Sequence, residues 1–275
     1  MSGSSTGTDG PTTATQPLMA GKRGLIMGVA NDHSIAWGIA DHLHRHGAEL
    51  AFTYQSEALG RRVQPLASSV SSEIVVPCDV SEPGSIEAAF DSISAHWPSI
   101  DFVVHAIAYS DKEELSGKYI DTSRENFLQT LDISCFSFTE VAQRAAQSMP
   151  NGGSLLTLTY DGSQRVMPNY NVMGVAKAAL EASVQYLATD LGGQGVRVNA
   201  ISAGPMRTLA GSAIGGARFV YKWQGENAPL RRHVALEDIG GAGVYLLSDL
   251  STAVTGEMLY VDCGYHVVGM AVTPA

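Results

Sequence analysis

From residue 21 onward the chain alternates short, almost wholly apolar runs with longer stretches of helical periodicity, and no other feature restricts its fold as tightly. The runs are 24–27, 50–54, 74–76, 102–106, 154–160, 196–201 and 258–261, rich in Val, Ile, Leu and aromatic residues. Each is short for a helix and lacks a polar face, which is how a strand buried on both sides reads. Between them, 35–46, 57–67, 85–95, 124–147, 170–191 and 237–247 read as helices. Seven such strands separated by helices predict a single α/β doubly wound domain, a parallel sheet covered on both faces with right-handed crossovers. Ligands of a sheet of this kind sit beyond the carboxyl ends of its strands.

At 275 residues and 45% hydrophobic content the chain is long enough to bury a full core, and no internal boundary divides 21–275. Residues 1–20 are rich in Ser, Thr and Gly, with no early basic residue and no apolar segment of signal length; a disordered tail is expected. A net charge of −10 gives no basic footprint, so nucleic acid and anionic membrane are poor partners. No run approaches the roughly 18 apolar residues of a membrane span. Cys78, Cys135 and Cys263 are odd in number and far apart, which argues against a disulfide framework or a zinc site and suits a reducing, cytoplasmic setting. His42, His44 and His46 share a predicted helix, but only His42 and His46 share a face. With no third ligand they read as solvated, and no metal is expected.

Chemistry concentrates where strands end. The run 154–160 closes in Thr159-Tyr160, Asp161-Gly162 turns the chain, and Pro168-Asn169 opens a helix carrying Tyr170 and Lys177. Seven residues are nearly two turns, so the spacing predicts both side chains on one face. A cation beside a phenol lowers its pKa and makes it a better donor to a developing oxyanion. By spacing alone, a packed tyrosine with a solvated lysine is the better account.

After the first strand comes Gly28-Val-Ala-Asn-Asp-His-Ser34-Ile35-Ala-Trp-Gly38. Gly28 suits a tight turn, Ser34 a helix cap, and Gly38 a close approach of helix to sheet, so the helix N-terminus is offered to a pyrophosphate. The spacing is wider than G-x-G-x-x-G, and a purely structural turn fits equally. Gln55 follows the second strand, where dinucleotide folds usually place an acidic residue on the adenosine ribose, and no arginine follows before Arg61. A 2′-phosphate would stand unpaired there, which favours NADH over NADPH. Asp79-Val80 follows the third strand; Asp79 suits either an adenine amino group or the cap of the next helix. Residues 206–230, with Gly211, Gly215 and Gly216 among Phe219, Val220, Tyr221 and Trp223, read as a lid with an apolar face or as a surface helix pair.

Together Gly28-x5-Ser34-Ile-Ala-x-Gly38, Gln55, Asp79-Val80, His105-Ala-Ile-Ala, Tyr160-x9-Tyr170-x6-Lys177 and Ala203-Gly-Pro-Met-Arg-Thr-Leu-Ala210 resemble the bacterial NADH-dependent enoyl-acyl-carrier-protein reductases, over about residues 21–270. That family belongs to the short-chain dehydrogenase/reductase superfamily. Ordinary members carry Tyr-x3-Lys preceded by a serine; here Met173 stands four before Lys177, and Tyr160 falls near the serine position. A ketone-reducing relative would be expected to show the ordinary arrangement, and a non-catalytic dinucleotide sensor to lose Tyr170 or Lys177.

The resemblance implies a Rossmann domain with a helical substrate lid. It implies that NADH is held by Gly28, Ser34, Ile35, Gln55, Asp79, Val80, Ile107, Lys177, Met206, Arg207, Thr208, Leu209 and Ala210. Tyr160, Tyr170 and Lys177 would be the catalytic residues, with Ser110, Tyr160 and Tyr170 facing substrate. The implied reaction moves hydride from NADH to the β-carbon of a trans-2-enoyl thioester, with acyl carrier protein as partner and a homotetramer as family precedent, 257–270 being apolar enough for an interface. Ser110 stands where the family usually has a small apolar residue, and Cys263 where glycine is more usual. Cys263 is expected to be a buried small side chain rather than a nucleophile.

Overall fold

The computed structural model describes residues 17–212 and 215–270. Seven strands form one parallel sheet in the order β3-β2-β1-β4-β5-β6-β7. They are β1 (Arg23–Met27), β2 (Glu49–Tyr54), β3 (Ile74–Pro77), β4 (Phe102–His105), β5 (Gly153–Thr159), β6 (Val196–Ala203) and β7 (Met258–Val261). The helices are α1 (Ile35–Arg45), α2 (Glu57–Ser69), α3 (Ser85–Ser94), α4 (Arg124–Leu131), α5 (Ser137–Gln147), α6 (Asn171–Gly192), α7 (Leu209–Ser212), α8 (Ala217–Asn227) and α9 (Leu236–Leu247).

Alternation along each strand sends successive side chains to opposite faces, and both faces are covered. Ile26, Phe52, Val104, Leu156 and Ile201 pack with α1 and α9 on one side. Leu25, Ala51, Val103, Leu155 and Val198 pack with α3, α5 and α6 on the other. Phe52, Phe102 and Phe138 are fully buried, each contributing roughly 1.5–3 kcal/mol over an exposed ring. Strand order reverses direction at β1, where β4 pairs on its other side with Met27 opposite His105. That switch point opens the cleft where such sheets bind ligands.

Four local expectations change. Gly38 does not face the sheet: a Cβ there would lie 2.9 Å from the Leu236 Cβ, so its missing side chain admits α9. Gly240 is equally tight against the His42 ring, which is therefore packed rather than solvated. The single helix expected over 124–147 is divided by a wide π-turn at Asp132–Phe136. There the Ser134 hydroxyl accepts from the Tyr109 amide at 2.9 Å and donates to its carbonyl at 3.0 Å, tying the helix to the loop after β4. Of the expected tail, residues 1–16 lie outside the described residues. Met19 is fully buried, and its amide donates to the His46 carbonyl at 2.9 Å, so the packed chain begins before residue 21.

Candidate active site

At the end of β1, Gly28 has φ +96°, and a Cβ would stand 2.1 Å from the Ala106 carbonyl oxygen. Only glycine lets the β1 and β4 loops approach so closely. Ser34 occupies the N-cap position of α1, but its side chain does not cap the helix. Its Oγ accepts instead from the amides of Ala30 and Asn31, at 3.0 and 3.1 Å, curling the loop back on itself. Among the described residues no side-chain oxygen caps the first amides of α1, and the cradle fits a pyrophosphate.

Gln55 and Asp79 are brought together across β2 and β3, the Gln55 amide donating to the Asp79 carboxylate at 2.9 Å. Asp79 does not cap α3, whose N-cap is Gly84. It accepts from the Ser81 amide and hydroxyl instead, at 3.0 and 2.7 Å. Burial works against its charge, yet the bonds from Ser81 and Gln55 prevail and hold the carboxyl below its usual range. A cavity of about 420 Å³ runs from Gly28, Ser34 and Ile35 past Gln55 and Ile107 to Lys177, Thr208 and Leu209. Asp79 stands behind Gln55, and Val80 packs on the core. NADH fits these residues: a glycine cradle for phosphates, an amide backed by a carboxylate for the adenosine end, and a lysine at the far end.

A second cavity, of about 850 Å³, adjoins the first; Ile35, Thr159, Tyr160, Tyr170 and Thr208 line both. Tyr170 stands at the N-cap of α6 rather than within it, between Asn169 and Asn171, whose φ values are +58° and +36°. Its ring meets Tyr160 edge-on, and a Cβ on Gly162 would lie 2.4 Å from it. Both phenols are driven above their ordinary range, Tyr160 by burial first and then by Asp161, Tyr170 by burial and then by Tyr160 and Glu181. The expected lowering of Tyr170 by Lys177 is thus reversed: burial first, then Tyr160 and Glu181, all push the phenol up. Lys177 donates to the Leu158 carbonyl at 2.8 Å. Burial pulls its ammonium down to about 8 against the opposing charges of Cys135 and Glu181. Both tyrosines are therefore kept protonated, the form that donates hydrogen bonds.

The residues expected to form a lid divide unevenly. Met206, Arg207, Thr208, Val220 and Tyr221 line the larger cavity. Arg207 lies over the Tyr221 ring at 4.7 Å, and Tyr221 stacks on His233 at 3.7 Å. Phe219, expected to supply the apolar face, is 62% exposed and stacks on Trp223 outside the cavity. The Ala210 side chain lies outside the described residues. Ser110 reaches neither cavity; its hydroxyl accepts from Thr130 and Asn126 at 2.9 and 3.2 Å. His233 and Thr159 are not singled out as site residues by the sequence, and Tyr221 enters only as one of several aromatic residues of the expected lid, because no spacing links the three. Cys263 is buried, in the left-handed region at φ +59°, where glycine would be at ease. Among the described residues no group of three or more His, Cys, Asp or Glu forms a metal site.

Sheet, cradle and paired tyrosines define a dinucleotide-dependent oxidoreductase of the doubly wound class. A family model described as Enoyl-(Acyl carrier protein) reductase matches residues 28–266. A Rhizobium meliloti protein named enoyl-acyl-carrier-protein reductase (NADH) 2 is 65% identical over 253 residues, 92% of this chain and 94% of the relative. The crystal structure of FabI from Candidatus Liberibacter asiaticus superposes with a TM-score of 0.92 at 58% identity, covering 94% of this chain and 100% of that one. The reductase from Anaplasma phagocytophilum in complex with NAD gives 0.91 at 57% identity, covering 94% and 99%. The chain belongs to the enoyl-acyl-carrier-protein reductase family.

Proposed function

We propose that this chain reduces trans-2-enoyl thioesters carried on acyl carrier protein, with NADH, in the last step of the fatty acid elongation cycle. The observation that carries the reading is the convergence of Tyr160 and Tyr170 on the walls shared by the two cavities, with Lys177 lining the smaller one. NADH held along Gly28, Ser34, Ile35, Gln55, Ile107, Lys177, Thr208 and Leu209 supplies hydride for the β-carbon. Tyr170, kept neutral by burial, donates a hydrogen bond to the thioester oxygen as enolate charge develops. Tyr160 and the apolar wall from Met206 to Tyr221 position the acyl chain and exclude water. Lys177 binds the cofactor's ribose and lends positive charge below its pKa.

Assembly as a homotetramer is supported by β7, the edge strand, whose four residues are all half-buried, and by Val267 and Met270, 70% and 88% exposed just beyond it. A cytoplasmic setting is supported by three free, buried cysteines. No helix among the described residues is long and apolar enough to cross a membrane. Purified protein mixed with a crotonyl thioester and NADH is expected to consume the reduced cofactor, followed by absorbance. No consumption, or consumption with a simple ketone in its place, would overturn the reading.

A further inference from the structure

Beneath the turn that carries Tyr160 lies a carboxylate to which the reaction assigns no task. Glu181, on α6 one turn beyond Lys177, is 6% exposed. Its Oε1 accepts from the Thr159 hydroxyl at 2.6 Å and the Ser163 hydroxyl at 2.5 Å, and its Oε2 from the Gln164 amide at 2.5 Å. Thr159 precedes Tyr160, while Ser163 and Gln164 close the turn after it. One buried side chain thus holds both ends of the segment bearing the substrate-facing ring. A carboxylate accepts at both oxygens and donates at neither, so it satisfies all three donors together. We propose that Glu181 is a positioning residue for the reaction: it fixes the 159–164 turn, and through it the edge contact of Tyr160 on Tyr170.

The proposal rests on the reductase reading, but structure can test it apart from turnover. Glu181→Gln leaves one accepting oxygen in place of two: with that oxygen toward Thr159 and Ser163, Gln164 must turn its own oxygen to the new nitrogen, and a charged bond at that end of the turn becomes a weaker neutral one. Turnover is expected to fall about 10- to 100-fold, the scale of a displacement near 1 Å; the NADH dissociation constant, read well below pH 8 where Lys177 stays charged without the support of Glu181, is expected to change less than about twofold because Glu181 lines neither cavity. The exchanged pair Glu181→Gln with Gln164→Glu restores a carboxylate facing an amide and is expected to recover most of the loss. A crystal structure of E181Q is expected to show the Tyr160 ring displaced from Tyr170. Full turnover in E181Q, equal losses in turnover and NADH affinity, no recovery in the folded exchanged pair, or an unmoved Tyr160 ring would each overturn the role. If E181Q does not fold, Ser163→Ala and Gln164→Leu decide it. Each removes one donor at the surface side of the cluster; lowered turnover with unchanged NADH binding supports the role, and full turnover in both overturns it. Absence of enoyl reduction in the unaltered protein would count against the reductase reading alone, leaving the Tyr160 position in E181Q to decide for Glu181.

Discussion

Tyr160 meets Tyr170 edge to face, with ring centroids 5.2 Å apart and 78° between their planes. Such a contact contributes about 0.5–1.5 kcal/mol beyond the area it buries. It locks two phenols that reach the site by different routes, Tyr160 on the turn after β5 and Tyr170 at the entry to α6. Both Tyr→Phe changes keep the ring contact and remove only a hydroxyl, so they separate chemistry from packing.

Tyr170→Phe is expected to leave NADH binding intact and to slow turnover roughly 10- to 1,000-fold, the range for losing one oxyanion or proton donor. Lys177→Ala removes a group lining the cofactor cavity, so it is expected to raise the NADH dissociation constant and lower turnover together. Fluorescence titration and enoyl thioester turnover on both variants check this. Comparable affinity losses, or full turnover in Tyr170→Phe beside an inactive Tyr160→Phe, would reverse the roles.

Lys177 gives the free enzyme an alkaline limit. Its ammonium is the working form and burial lowers it to about 8, so kcat/KM is expected to fall as pH rises through about 8. Lys177→Arg keeps the charge without titrating there and is expected to remove that limb. For stability the sign is opposite. Between about 8 and the ordinary 10.5 the unfolded chain binds more protons than the folded one, so this residue's contribution to stability rises with pH across that window. A kcat/KM flat across the window would mean that another group carries the charge.

Gln55 donates to Asp79 at 2.9 Å, placing a carboxylate behind the position a 2′-phosphate would occupy. NADH is therefore expected to outperform NADPH, and Gln55→Arg to narrow the gap by pairing the phosphate. Steady-state kinetics with each cofactor measure this; equal efficiency in the unaltered protein would refute it.

The lining of the larger cavity predicts which aromatic residue senses chain length. Tyr221 faces the 850 Å³ cavity, whereas Phe219 is 62% exposed. Tyr221→Ala is expected to weaken long enoyl chains more than a four-carbon one, since only the former reach that wall, and Phe219→Ala to change both little. Chain-length series on the two variants test it. Equal loss at all lengths in Tyr221→Ala would indicate general destabilisation.

Much of the site was legible because strand ends and loop residues carry local chemical patterns. Gly28 and Gln55, read from their places after strands, and Ile107 and Lys177, implied by the family resemblance, all line the 420 Å³ cavity. Other readings changed where a partner that no local pattern names decides. Ser34 suits a cap by type, but the loop amides of Ala30 and Asn31 take its hydroxyl. Ser110 is engaged by Asn126 and Thr130 from α4, sixteen and twenty residues away. Phe219 and Tyr221 are both aromatic residues on α8, and helical spacing does not say which of them meets Arg207 and His233.

What the sequence determined by itself was the periodicity and the punctuation: apolar runs that must be buried on both faces, hence a parallel sheet, and turns at the strand ends that place Gly28, Gln55 and Tyr160 on one edge of it. These follow from local sterics and from the cost of exposing apolar surface. Tertiary structure alone decided the electrostatics. Spacing puts Tyr170 and Lys177 two turns apart and suggests a phenol acidified by an ammonium. Burial raises the phenol and depresses the ammonium instead, because removal from water penalises each charged form. The same holds for Glu181, unremarkable on a helix in sequence, which becomes the acceptor for Thr159, Ser163 and Gln164 only once α6 packs under the turn after β5.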